Sequence, residues 1–115
     1  MATRIVLLAL FSIIGGGGSL AGPMTGEPDP ERGKGLAQRL CSNCHLVTSE
    51  QTHANVDIPS FREIANKLGQ TDGSIMAKIL IPKHPMPVIP ATNSELNDLT
   101  AYIMTLRDPE QRMRP

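Results

Sequence analysis

Cys41-Ser42-Asn43-Cys44-His45 puts two thiols and an imidazole within one turn of backbone. Each thiol can add across one vinyl group of a porphyrin to give a thioether, and the tether then presents His45 to the iron as its proximal ligand. Cys41 and Cys44 are therefore the expected attachment points of one c-type haem. A redox Cys-x-x-Cys pair is the first competitor, but that motif opens a helix in a βαβ setting, and no alternating or β-branched run precedes Cys41. A zinc site drawing on Cys41, Cys44, His53 and His84 is the second. Its later ligands lack close spacing and fall in unrelated segments.

A second iron ligand has six methionines to draw on. Met1 and Met24 precede the fold, Met76 and Met104 sit in helical patterns where packing explains them, and Met113 is in the tail. Met86 alone lies between two prolines, in Lys83-His84-Pro85-Met86-Pro87-Val88-Ile89-Pro90, a stretch too proline-rich for helix or central strand. A stiff loop carrying a thioether suits a soft ligand over the distal face of iron, so Met86 is the expected metal ligand opposite His45, with His84 as the alternative. Two strong ligands close both iron faces and leave little to reorganise when the charge changes by one. His53, in a polar loop, reads as a solvated histidine.

The elements that must position these groups follow from capping residues and apolar spacing. Asp29, Pro30 and Glu31 start a helix that runs to about Leu40 and delivers Cys41, with Gly33, Leu36, Ala37 and Leu40 on one face. Gly33 and Ala37, one turn apart, permit close approach of a second helix. Pro59 can hold its carbonyl where the outer ring nitrogen of His45 donates to it. Ser60 and Glu63 open a short helix with Phe61, Ile64, Ala65 and Leu68 inward and Gly69 as its stop. Asp72 is the expected cap of a third helix, Gly73 to Leu80, carrying Ile75, Met76, Ile79 and Leu80. Thr92 and Glu95 box the last helix, where Leu96, Leu99, Ile103 and Leu106 form a stripe beside Tyr102; Pro109 ends it.

Of the 115 residues, 1–21 read as a cleavable signal peptide: a positive start at Arg4, an apolar run from Ile5 to Ile14, and small residues Ser19 and Ala21 before the cut. That run is well short of the ~20 residues a membrane span requires. Residues 22–30 are a flexible arm, 31–108 one domain, and 109–115 a disordered tail. Export agrees with two cysteines that haem, and not a disulfide, claims. Phe11, Phe61 and Tyr102 are the only aromatics and tryptophan is absent, so a domain this small gains from a porphyrin at its centre. Eleven basic against eleven acidic residues give no charge excess and argue against nucleic acid.

From Gly33 to Arg107 the sequence resembles the class I c-type cytochromes, in particular small bacterial monohaem members. The likeness rests on Gly33 and Ala37, the 41–45 motif, Pro59, His84-Pro85-Met86-Pro87, and Leu99 with Tyr102. It implies an all-α fold of about four short helices wrapped around one covalently attached haem. First and last helices cross near a glycine, and one haem edge is exposed. It also implies His45 and Met86 as metal ligands and Pro59 as the partner of His45. The chain departs from the larger members in having no tryptophan, and no tyrosine between His45 and Met86, to meet the haem propionates. The expected function is a one-electron carrier between exported, periplasmic redox partners, monomeric and without a membrane span after cleavage. The alternatives are a haem subunit of an exported dehydrogenase or oxidase complex, and a haem-based sensor or peroxidase. Lys34, Arg39, Lys78 and Lys83 either ring the haem edge and steer an acidic partner or are ordinary solvated cations.

Overall fold

The computed structural model describes residues 26–83 and 86–113. The signal-peptide reading and the ligand alternative His84 fall outside these residues. Helices α1 (Pro30–Leu40), α2 (Phe61–Asn66), α3 (Asp72–Leu80), α4 (Asn93–Thr105) and α5 (Pro109–Arg112) make up the fold, with no strand among the described residues.

Helix α1 starts because the Asp29 side chain accepts from the backbone N–H of Glu31 and Arg32, with Pro30 in the first turn. Its apolar face buries Gly33, Leu36 and Ala37 against α4. The crossing depends on Gly33: a Cβ there would lie 1.9 Å from the Asp98 carbonyl oxygen and 2.9 Å from the Leu99 nitrogen. Only glycine allows the backbones this close.

Helix α4 begins in the expected box, Thr92 Oγ1 accepting from Glu95 N and Glu95 accepting from Thr92 N at 2.8 Å. It buries Leu96, Leu99, Tyr102 and Ile103, and taking these side chains out of water stabilises the fold. Helix α2 packs beside it through Phe61 and Ala65. The Asn66 side chain fixes its far end, donating to Leu106 O at 3.2 Å and accepting from Asp108 N at 2.7 Å.

Three expectations need correction. Helix α2 ends at Asn66 and Lys67 takes extended backbone, so Leu68 leaves the inward stripe and is 82 % exposed; Gly69 follows at φ +72°. The cap of α3 is Thr71 and not Asp72. Thr71 Oγ1 accepts from Ser74 N at 3.1 Å and Ser74 Oγ from Thr71 N at 2.9 Å, while Asp72 contributes its charge in the first turn. Residues Pro109–Arg112 form the short helix α5 in place of the start of a disordered tail. Asp108 precedes it, tied to Arg62 by an ion pair at 2.5 Å.

Candidate haem site

The candidate motif begins where α1 stops. Cys41 caps α1, donating its N–H to Ala37 O at 2.9 Å. The Cys41 carbonyl then accepts from Cys44 N at 3.1 Å and His45 N at 2.9 Å, closing a turn that puts both cysteines and His45 on one short arc. Neither thiol is in a disulfide; Cys41 is half-buried and Cys44 exposed. Burial, and then the neighbouring Cys44, push the Cys41 thiol up to about 11. That is opposite to the depressed pKa on which a redox Cys-x-x-Cys pair relies.

His45 is held at its ring by a carbonyl and a neighbouring aromatic. Its Nδ1 lies 2.7 Å from the Pro59 carbonyl oxygen. A carbonyl can only accept, so Nδ1 carries the proton and Nε2 holds the free lone pair, the tautomer a metal-binding imidazole requires. The ring also lies 5.5 Å from that of Phe61, tilted by 52°, and Phe61 in turn lies 6.4 Å from Tyr102. Tyr102 closes this chain, its hydroxyl donating to Val47 O at 2.6 Å. The loop after the motif is thereby fastened to α4 two residues beyond His45.

Gln51 carries a role its sequence position does not suggest. Its Nε2 lies 2.8 Å from Ser42 O, 2.9 Å from His45 O and 2.5 Å from His53 O, while its Oε1 accepts from Val47 N at 3.0 Å. One amide thus ties the motif to the loop that follows. A single glutamine among many polar loop residues has no periodic signal that would reveal this. His53, by contrast, contributes its carbonyl to the clamp and leaves its side chain exposed. Among the described residues no three His, Cys, Asp or Glu side chains come together as a metal site.

Met86 is half-buried and Pro87 and Val88 behind it are exposed, in a segment without helix or strand. Large apolar side chains are exposed near both candidate ligands in the chain: Leu46 beside His45, Leu80 and Ile81 before Met86, and Val88 after it, at 90 %. Such surface is costly in water and suits contact with a flat apolar ring. Both thiols free, an imidazole with an available Nε2, a thioether in a stiff loop and apolar flanks fit covalently held haem.

A family model described as cytochrome c matches residues 30–107. The chain belongs to the cytochrome c family. It is 35 % identical over 79 residues to cytochrome c-552 of Bradyrhizobium diazoefficiens, an alignment covering 69 % of this chain and 76 % of that protein. No solved structure matches it. As a cytochrome c, the protein has the all-α fold of that family and carries haem c, with its iron, joined covalently to the chain. It is a haem c electron carrier of the kind that works with redox partner proteins. No helix among the described residues is long and apolar enough to cross a membrane.

Proposed function

We propose that this cytochrome c shuttles single electrons with its iron held by His45 on one side and Met86 on the other, and with Cys41 and Cys44 as the thioether residues. The observation that carries the reading is the 2.7 Å bond from His45 Nδ1 to Pro59 O. It leaves Nε2 available in the same turn as two free thiols. Each cysteine adds its sulfur to one vinyl carbon of the porphyrin while the thiol proton goes to the other, so both side chains end as thioethers. Bound haem c supplies the one-electron iron couple.

The chain's own groups then set how that couple behaves. Pro59 O fixes the His45 ring orientation and leaves Nε2 aimed away from it as the metal-binding nitrogen. The Met86 thioether, soft and uncharged, favours the reduced metal and raises the potential. Prolines around Met86 limit loop movement, so neither ligand has to leave or return during a cycle. The same reading has the leader, residues 1–21, removed on export to the periplasm, where a monomer meets its donor and acceptor proteins. The leader's charged start, apolar run and small residues support export.

The oxidised protein is expected to show the charge-transfer band of methionine sulfur on ferric haem, and the reduced protein to bind carbon monoxide slowly. Rapid carbon monoxide binding at neutral pH, with no sulfur band, would favour a sensor or peroxidase. An N-terminus other than Gly22 on the exported protein would move the proposed cleavage site.

A further inference from the structure

Lysines and arginines balance aspartates and glutamates over the whole chain, eleven to eleven, but the balance does not hold locally. A groove of about 550 Å³, where α1, the loop after His45, α2 and the end of α4 meet, is lined by Lys34, Arg62, Arg107 and Arg112 against Glu50 and Asp108. Asp108 is taken by its ion pair with Arg62. Arg107 is fastened by the Ala65 and Gln70 carbonyls, to which its guanidinium donates, and Arg112 Nε donates to Arg107 O at 2.9 Å. Carbonyls fix these side chains without neutralising them. Lys34, Arg107 and Arg112 are in no ion pair among the described residues, so three cations face the one carboxylate of Glu50.

The groove also adjoins the proposed iron ligand. Leu46, the residue after His45, forms part of its wall, and the buried Val47 and Tyr102 lie at its base. From Tyr102 the rings of Phe61 and His45 follow at 6.4 and 5.5 Å. A body seated there touches residues that pack toward His45 or adjoin it in the chain. An apolar base inside a charged rim is the anatomy of a protein interface, and a local excess of positive charge on a chain with none overall selects an acidic partner.

We propose that this groove is the docking site for the acidic face of a redox partner protein, with Lys34, Arg107 and Arg112 supplying the attraction and Leu46 and Leu106 the apolar contact. This names the partner's surface within the electron-carrier reading and rests on it.

The probe is reduced flavodoxin, an acidic one-electron donor protein, mixed with the ferric holoprotein in stopped flow. One flavin hydroquinone gives one electron to one iron and is left as the semiquinone. The second-order rate should fall as salt rises. Arg112 is exposed, and Arg112→Glu should lower the low-salt rate about tenfold, Arg112→Gln by a smaller factor, with haem content and reduction potential unchanged. Lys83→Glu makes the same change of charge outside the groove and should alter the rate by about twofold at most. In ¹⁵N spectra of the ferric holoprotein, oxidised flavodoxin should shift the amides of Val47, Thr48, Arg107 and Arg112.

Equal losses in Arg112→Glu and Arg112→Gln would make the bond to Arg107 O the cause and not the charge, and would overturn the proposal. A larger loss in Lys83→Glu, amide shifts centred away from the groove, or shifts given by anionic lipid vesicles and not by flavodoxin would overturn it as well. Each of these leaves the carrier reading standing. Wild-type protein that attaches no haem would overturn that reading instead, before any rate is measured.

Discussion

The α1–α4 crossing and the stretches that carry Leu68, Leu80, Ile81 and Val88 are built on opposite principles. At the crossing the polypeptide completes itself: Gly33 meets Asp98 backbone to backbone, Leu36, Ala37, Leu96, Leu99 and Ile103 are buried, and Asp98 satisfies Asp29 N at 2.7 Å and Arg32 Nε at 2.8 Å. In the other stretches Leu68, Leu80, Ile81 and Val88 are exposed, and Gln70 keeps a buried donor without an acceptor. One region is therefore stable through its own contacts. The other leaves apolar surface in water, and the haem c that the protein carries is expected to add to its stability.

Replacing both Cys41 and Cys44 by serine should sharpen this contrast most. Covalent haem should vanish from a denaturing gel, and helical circular dichroism should fall to that of a largely unfolded chain, since the small domain loses the centre of its core. Full native helicity in the haem-free variant would mean that the loops need no cofactor. Gly33→Val attacks the other region and should cost about 3 kcal/mol or more by denaturant titration of the holoprotein, because a side chain must push the two helix backbones apart. A cost near zero would show that the helices do not need their close crossing.

Gln51 separates positioning from packing. Gln51→Glu keeps an acceptor for Val47 N but has no donor for the Ser42, His45 and His53 carbonyls. It should lower holoprotein stability by about 1–3 kcal/mol and speed carbon monoxide binding, with Gln51→Ala at least as severe. If Gln51→Glu behaves as wild type, the amide clamp does not hold the motif.

The smallest effect expected is a pH dependence at the crossing. Hydrogen bonds from Arg32, and then from Asp29 N–H, hold the Asp98 carboxyl below its ordinary range, against the opposing effect of burial. A depressed folded-state value adds stability above the unfolded value of about 3.9, and that stability is lost as pH falls through the folded value. Asp98→Asn should therefore lower the denaturation midpoint at pH 7 and flatten its fall below about pH 4. An acid profile unchanged in the variant would detach Asp98 from acid stability.

What the sequence discloses depends on how local the signal is. The 41–45 motif, the boxes at Ser60 and Thr92 and the Gly33 crossing involve neighbours in the chain or a missing side chain, and they are legible in it. Pro59 is also readable as the partner of His45, because a proline carbonyl is fixed by a local φ. The Thr71 cap is open to sequence reading too, but neighbouring Asp72 is an equally good capping type, and only backbone geometry separates them. Leu68 fits the helical stripe by spacing and leaves it because α2 stops at Asn66. Gln51, Gln70 and Asp98 act through partners distant in sequence or through several carbonyls at once, and no periodicity reports such contacts. Asp98 does leave one trace, a carboxylate on the buried face of α4 that needs a cation, which Arg32 supplies.

Whether His45 and Met86 grip the iron together is decided by the proton spectrum of the reduced holoprotein labelled with ¹³C-methyl methionine. One methionine methyl, assigned to Met86 by its absence from Met86→Ala, should be shifted far upfield of the others by the porphyrin ring above which it sits. A spectrum in which every methionine methyl keeps an ordinary position, or in which the upfield signal survives Met86→Ala, would contradict that ligation.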